Sequence, residues 1–154
     1  MREILFRGKR KDNGEWIEGS AINTQYDIRG DKHTYIGIFV TSERYPLMKT
    51  IEWYEVYPET VGEYIGLTDK NGKKIFEGDI VKADDYIFSV KFGKCGGVAN
   101  AENHGYMGFY FEAFSEATKI HARFGLRNDI CYFTDIEVIG NIHNNPELLK
   151  GGDE

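Results

Sequence analysis

The stretch 61–81, VGEYIGLTDKNGKKIFEGDIV, constrains the fold more than any other part of the chain. Asn71-Gly72 suits a tight hairpin turn, because both residue types tolerate positive φ at little steric cost. The apolar positions Tyr64, Ile65 and Leu67 lead into that turn, and Ile75-Phe76 begins the return. Asp69, Lys70, Lys73 and Lys74 surround it where water solvates them. Gly78, set between Glu77 and Asp79, reads as a bend before Ile80, Val81 and Lys82. The stretch therefore predicts a hairpin, a corner and a further strand.

Composition extends this reading to the whole chain. Ten Tyr, ten Phe and two Trp, with 18 Gly against 3 Pro, favour strands and tight turns over helices. At 154 residues the chain suits one domain or two small modules, and a domain of this size buries roughly 70% of its unfolded surface. The expected fold is mainly β. It has antiparallel sheets in one compact unit or two small β modules, with at most one or two short helices. Pro58-Glu59-Thr60 marks the boundary between an amino-terminal module, 1–57, and a carboxy-terminal one, 61–149. One continuous domain over 1–149 is the alternative, and 150–154 form a fraying tail.

In chain order, 2–9 alternates loosely as a strand, Asp12-Asn13-Gly14 makes a turn, and Trp16, Ile17, Ala21 and Ile22 supply a second strand. This hairpin echoes the one at 64–78, an echo that turn chemistry alone can generate. Residues 23–33 are mostly polar and read as a surface loop. TYIGIFV at 34–40 is short and apolar enough for a strand buried on both faces. TIEWYEVY at 50–57 alternates so that Ile51, Trp53 or Tyr54, and Val56 face inward while Glu52 and Glu55 stay wet. Strands follow at 86–92 and 106–114, separated by a glycine- and asparagine-rich loop at 93–105. Gly108 marks a bulge or a close backbone approach. Residues 115–124 suit a short helix or a strand equally. Final strands are expected at 130–133 and 136–142, and Pro146 opens one terminal turn through Leu148-Leu149.

Charge bounds the function. The formal net charge of −6 opposes non-specific attachment to nucleic acid or an anionic membrane, while leaving room for a local basic face. No segment reaches the roughly 18 apolar residues of a transmembrane helix, and MREILFRGKRK lacks the apolar centre of a secretory signal. The expected location is the cytoplasm, with no membrane partner. Cys95 and Cys131 are too few for a disulfide scaffold and suit a reducing compartment.

Few residues suggest chemistry. Cys95, His104, His121, Cys131 and His143 are metal-ligand types, but no pair has the spacing that grips zinc, so no metal or cofactor is expected. Neither cysteine comes with a motif for a base or an oxyanion site, and Gly93, Gly96 and Gly97 read as loop glycines. Glu77 and Asp79 are close, yet Gly78 between them makes a bend the simpler reading. The basic cluster Arg7, Lys9, Arg10 and Lys11, near Trp16, is the one nucleic-acid candidate, since such a patch tracks phosphates while an aromatic stacks on a base. A solvated hairpin explains the same residues without a ligand.

Three groups of motifs together resemble the YopX family. They are Tyr57-Pro58-Glu59-Thr60-Val61-Gly62-Glu63-Tyr64-Ile65-Gly66-Leu67; Asp69-Lys70-Asn71-Gly72-Lys73 with Phe76-Glu77-Gly78-Asp79-Ile80-Val81; and Val138-Ile139-Gly140-Asn141-Ile142 with Asn145-Pro146-Glu147-Leu148-Leu149. Phe6-Arg7-Gly8-Lys9 and Trp16-Ile17-Glu18-Gly19 also fit, so the resemblance spans nearly the whole chain. His143-Asn144 departs from it, standing where the family pattern has an aromatic and an acidic residue. The resemblance implies a β-rich protein of a family encoded mainly by phages and prophages of low-GC Gram-positive bacteria and related hosts, and brings no catalytic or ligand residue with it.

Gly78-Asp79-Ile80-Val81 followed by the strand at 86–92 also looks like the opening of an SH3-like barrel, with an ordinary glycine corner as the equal alternative. The leading functional expectation is a non-enzymatic accessory protein that binds an unknown protein partner or assembles with itself as a homo-oligomer. Its aromatic content and sheet edges need a covering. The alternative is a nucleic-acid-binding module built on the basic hairpin, and an enzyme ranks last.

Overall fold

The computed structural model describes residues 3–41, 47–83, 86–95, 106–113 and 135–149. Strands make up 65% of these residues and no helix reaches seven residues, so the protein is mainly β, in three antiparallel sheets. None of the described helices is long and apolar enough to cross a membrane. The chain divides into two compact units, Met1–Gly66 and Leu67–Glu154.

In the first unit, β1 (Phe6–Lys9) and β2 (Trp16–Gly19) form the hairpin that Asn13-Gly14 predicts, with Gly14 at φ 73°. The register runs from Phe6 opposite Gly19 to Lys9 opposite Trp16. A second sheet holds β3 (Ala21–Tyr26), β4 (Lys32–Thr41) and β5 (Lys49–Val56) in that order. The first hairpin packs against this sheet over Ile36 and Val56, both fully buried. Glycine permits the approach: a β-carbon on Gly8 would stand 2.9 Å from Ile36 Cδ1, and one on Gly19 only 2.4 Å from the Gly37 carbonyl oxygen. After β5, a 3-10 turn (Pro58–Thr60) fastens back onto β1. The Tyr57 N–H donates to the Lys9 carbonyl, and Thr60 Oγ1 accepts from the Lys9 N–H at 2.9 Å. β6 (Gly62–Thr68) then pairs with β1 through Phe6 opposite Glu63, and from Leu67 the chain enters the second unit, whose first strand beyond β6 is β7 (Lys74–Phe76).

In the second unit the Asn71-Gly72 turn has the expected conformation, Gly72 at φ 80°. Asp69 holds it closed: its Oδ1 accepts from the N–H groups of Asn71 and Lys73 at 2.8 and 2.9 Å. Gly78, at φ 83°, is the corner, donating to the Val90 carbonyl and accepting from the Ile142 N–H. The fully buried Asp79 accepts from the Phe76 N–H at 2.9 Å, so this carboxylate closes the bend. Beyond it, β8 (Asp79–Ala83), β9 (Tyr86–Cys95), β10 (Tyr106–Ala113) and β11 (Ile136–Asn141) form one sheet in the order β10-β9-β8-β11. Phe76, Ile80, Val81, Val90 and Phe111 fill the core, with Phe88 stacked on Phe111 at 5.5 Å. A 3-10 turn at Pro146–Leu149 ends the described chain, as Pro146 predicts.

Four local expectations change. The polar segment expected as a loop at 23–33 contains most of β3 and the start of β4, because β3 is held by backbone pairing with β4 from Ala21–Gly37 to Tyr26–Lys32 rather than by apolar side chains. β4 is buried on one face only, leaving Phe39 exposed on the other. Gly93 to Cys95 belong to β9, and Gly108 pairs directly with Gly93 without a register shift. The irregularity instead lies in β11, between Val138 and Gly140. The readings at 115–124 and 130–133, and the glycines 96 and 97, fall outside the described residues.

Candidate functional site

The distinctive surface of the first unit is the outer face of β3-β4-β5. Opposed residues of an antiparallel sheet share a face. The pairs Ala21–Gly37, Gly37–Trp53 and Phe39–Ile51 therefore place five small or apolar residues together, on the side away from Ile36 and Val56. Phe39 is 55% exposed, Trp53 45% and Ile51 38%. Gly37 lies beneath them: a β-carbon there would meet Ile51 Cγ2 at 2.7 Å and Trp53 Cζ3 at 3.0 Å. The absent side chain lets both large groups lie over the strand. Of the positions expected inward, Ile51 and Trp53 are on this outer face, while Tyr54, the alternative to Trp53, shares the inner face with Val56, because strand parity separates the two sets.

A charged cluster closes one end of this face. Glu55 Oε1 accepts from Lys11 Nζ and meets His33 Nδ1, each at 2.7 Å. Asp27 Oδ2 stands 3.7 Å from His33 Nε2. The hydrogen bond from Lys11, then that with His33, holds the Glu55 carboxyl below its ordinary range. Contact with Glu55 raises the His33 imidazole, and the Asp31 and Arg29 N–H groups lower Asp27. Glu55 is thus half-buried in a network rather than simply wet. Sequence reasoning missed this cluster, since 44 residues separate Lys11 from its counter-ion.

The four basic residues of the first hairpin do not form one free patch. Arg10 Nε donates to Asp12 Oδ1 at 2.9 Å while its guanidinium lies 4.3 Å from the centre of the Tyr54 ring. Lys11 is held by Glu55, which together with the nearby Tyr35 and Tyr57 raises its amine. Arg7 lies over Trp16, 4.9 Å from the ring centre. Lys9 sits at the end of β1 beside Gly14.

Of the metal-ligand residue types, Cys95 lies in β9 and His143 in the turn after β11, whereas His104, His121 and Cys131 fall outside the described residues. Among the described residues no group of three or more His, Cys, Asp or Glu could hold a metal ion.

Comparison with known proteins gives a family and a likeness to solved structures. A solved structure, protein EF1440 from Enterococcus faecalis, is similar to this chain at 24% identity, covering 97% of this chain and 99% of that one with a TM-score of 0.47. No curated protein matches. The family model described as YopX protein matches residues 5–150. That span takes in the eleven strands of the described residues and each of the motif groups set out above, and the chain belongs to the YopX family.

Proposed function

We propose that the protein is a phage or prophage accessory protein that acts in the bacterial cytoplasm by binding, without catalysis, and that assembles with itself or with a protein partner. The phage association follows from what the family resemblance implies. The binding reading is carried by one observation, the contiguous exposure of Phe39, Ile51 and Trp53 on the outer face of β3-β4-β5. Exposed aromatic residues grouped on one face and rimmed by charge are the composition that association surfaces favour.

The alternative, nucleic-acid binding through Arg7, Lys9, Arg10 and Lys11, draws less support. Asp12 and Glu55 already hold two of the four charges, and the net charge of −6 opposes a polyanion. Light scattering across a salt series, with and without single-stranded and duplex oligonucleotides, separates the two. The binding reading predicts a mass above the 17.7 kDa of one chain that oligonucleotide leaves unchanged. A 17.7 kDa particle that gains mass with oligonucleotide at low salt, and loses it at high salt, would overturn it.

A further inference from the structure

Among the described residues, six strands lie at the outer edges of the three sheets: β2 and β7, β3 and β5, β10 and β11. Exposed edges template pairing with another chain, and proteins commonly block this with charged side chains, proline or bulges. Five of the six carry such a charge: Glu18 in β2, Lys74 in β7, Lys49, Glu52 and Glu55 in β5, Glu112 in β10 and Glu137 in β11. β3, with the sequence AINTQY, carries none, although 29% of the whole chain is charged. It contains neither proline nor glycine, and its register with β4 runs without a shift through all six residues. Among the described residues nothing pairs with its other side. Five of its six side chains are exposed, Ile22 by 41% and Tyr26 by 69%.

From this edge, and resting on the self-assembly reading above, we infer that a second copy of the chain pairs antiparallel with β3 about a two-fold axis at Thr24. The result is a six-stranded sheet of order β5-β4-β3-β3-β4-β5. A two-fold axis perpendicular to a sheet keeps each residue on its own face, so strand partners differ by an even number of positions. Centred on Thr24, this sets Thr24 opposite Thr24, Ile22 opposite Tyr26, and Asn23 opposite Gln25. Threonine pairs and aromatic–β-branched pairs are favourable cross-strand neighbours. No charge opposes a like charge along the pairing, which matters for two copies that each carry −6. The pairing gives the free backbone groups of the edge partners, removes Ile22 and Tyr26 from water, and extends the face bearing Phe39 and Trp53 across both copies.

Two variants at the axis test this. Thr24→Lys sets two ammonium groups against each other, and its side chain is exposed, so folding is retained and checked by circular dichroism. At a concentration where the wild type has twice the 17.7 kDa mass by light scattering, Thr24→Lys is expected at 17.7 kDa. Thr24→Cys brings two thiols together, since opposed strand residues lie about 4.5–5.5 Å apart, within disulfide reach. Mild oxidation is expected to link it into a covalent dimer well above the background from wild-type Cys95 and Cys131. Cysteine at exposed Thr50 of β5 is expected to stay at that background. A wild type that is oligomeric but insensitive to Thr24→Lys, with no excess linking of Thr24→Cys, overturns the β3 pairing and leaves self-assembly standing. A wild type that stays at 17.7 kDa at every concentration overturns both.

Discussion

The carboxylate of Asp69 accepts through Oδ2 from the backbone N–H of Val138 at 3.0 Å, across 69 positions of sequence. Its other oxygen closes the Asn71-Gly72 turn, so one side chain ties the hairpin tip to β11. Burial pushes this carboxyl up, but the N–H groups of Val138, Lys73 and Asn71 outweigh it and hold it below its ordinary value. Asp69→Ala leaves the half-buried Val138 N–H without this acceptor. It is expected to lower stability by about 2–3 kcal/mol, since hydrogen bonds to a charged group contribute about 1.5–3 kcal/mol. Asp69→Asn keeps one acceptor oxygen and should cost about half as much. Urea denaturation midpoints check both, and an unchanged midpoint in Asp69→Ala would show that the carboxylate holds nothing.

The His33–Glu55 contact predicts a pH window. His33 is raised by Glu55, so its contribution to stability is fully present below its unfolded value of about 6.5 and is lost as pH rises through the higher folded value. Glu55 is lowered by Lys11 and His33, so its contribution is present above about 4.3 and is lost as pH falls through the folded value. The network therefore contributes most between about pH 4.5 and 6.5. NMR titration should find the His33 imidazole moved down in Glu55→Gln, and moved up when Lys11, whose charge opposes protonation, is replaced by Met. An imidazole that titrates identically in wild type and Glu55→Gln contradicts the arrangement.

Glycine contacts predict an ordered series. At Gly19 an added β-carbon meets backbone, the Gly37 oxygen at 2.4 Å, and backbone cannot swing aside. Gly19→Ala is expected to cost about 2–3 kcal/mol, at the upper end for overpacking. At Gly37 the neighbours are the side chains of Ile51, Trp53 and Ala21, the first two partly exposed, so Gly37→Ala should cost about 1 kcal/mol. At Gly93 the nearest atom, Tyr110 Cε1, lies at 3.4 Å, an ordinary contact, and Gly93→Ala should stay within about 0.5 kcal/mol of wild type. Thermal or chemical melts rank the three, and a reversed order would contradict the packing described.

The parts of this fold that were legible in the sequence are those written in local chemistry. Gly14, Gly72 and Gly78 each adopt the positive φ that their turns call for; Pro58 and Pro146 each open a 3-10 turn. β3 was not legible, because a strand of Asn, Thr and Gln paired through its backbone leaves no apolar period to read. Ile51 and Trp53 misled for a related reason: an apolar residue on an alternating strand is read as inward, yet β5 carries apolar residues on both faces, with Tyr54 and Val56 inward and Ile51 and Trp53 outward. The basic hairpin was visible as a cluster, but Glu55 and Tyr54, which engage Lys11 and Arg10, come from another strand that only the folded sheet brings near.

Amide hydrogen exchange of β3 as a function of protein concentration reports β3 pairing itself. In an unpaired edge strand alternate N–H groups point to solvent and exchange freely, while those directed at β4 are protected. As concentration rises, the freely exchanging amides within Ala21–Tyr26 are expected to slow in step with the appearance of a particle of twice 17.7 kDa. Outward β3 amides that exchange at the same fast rate at every concentration would contradict it.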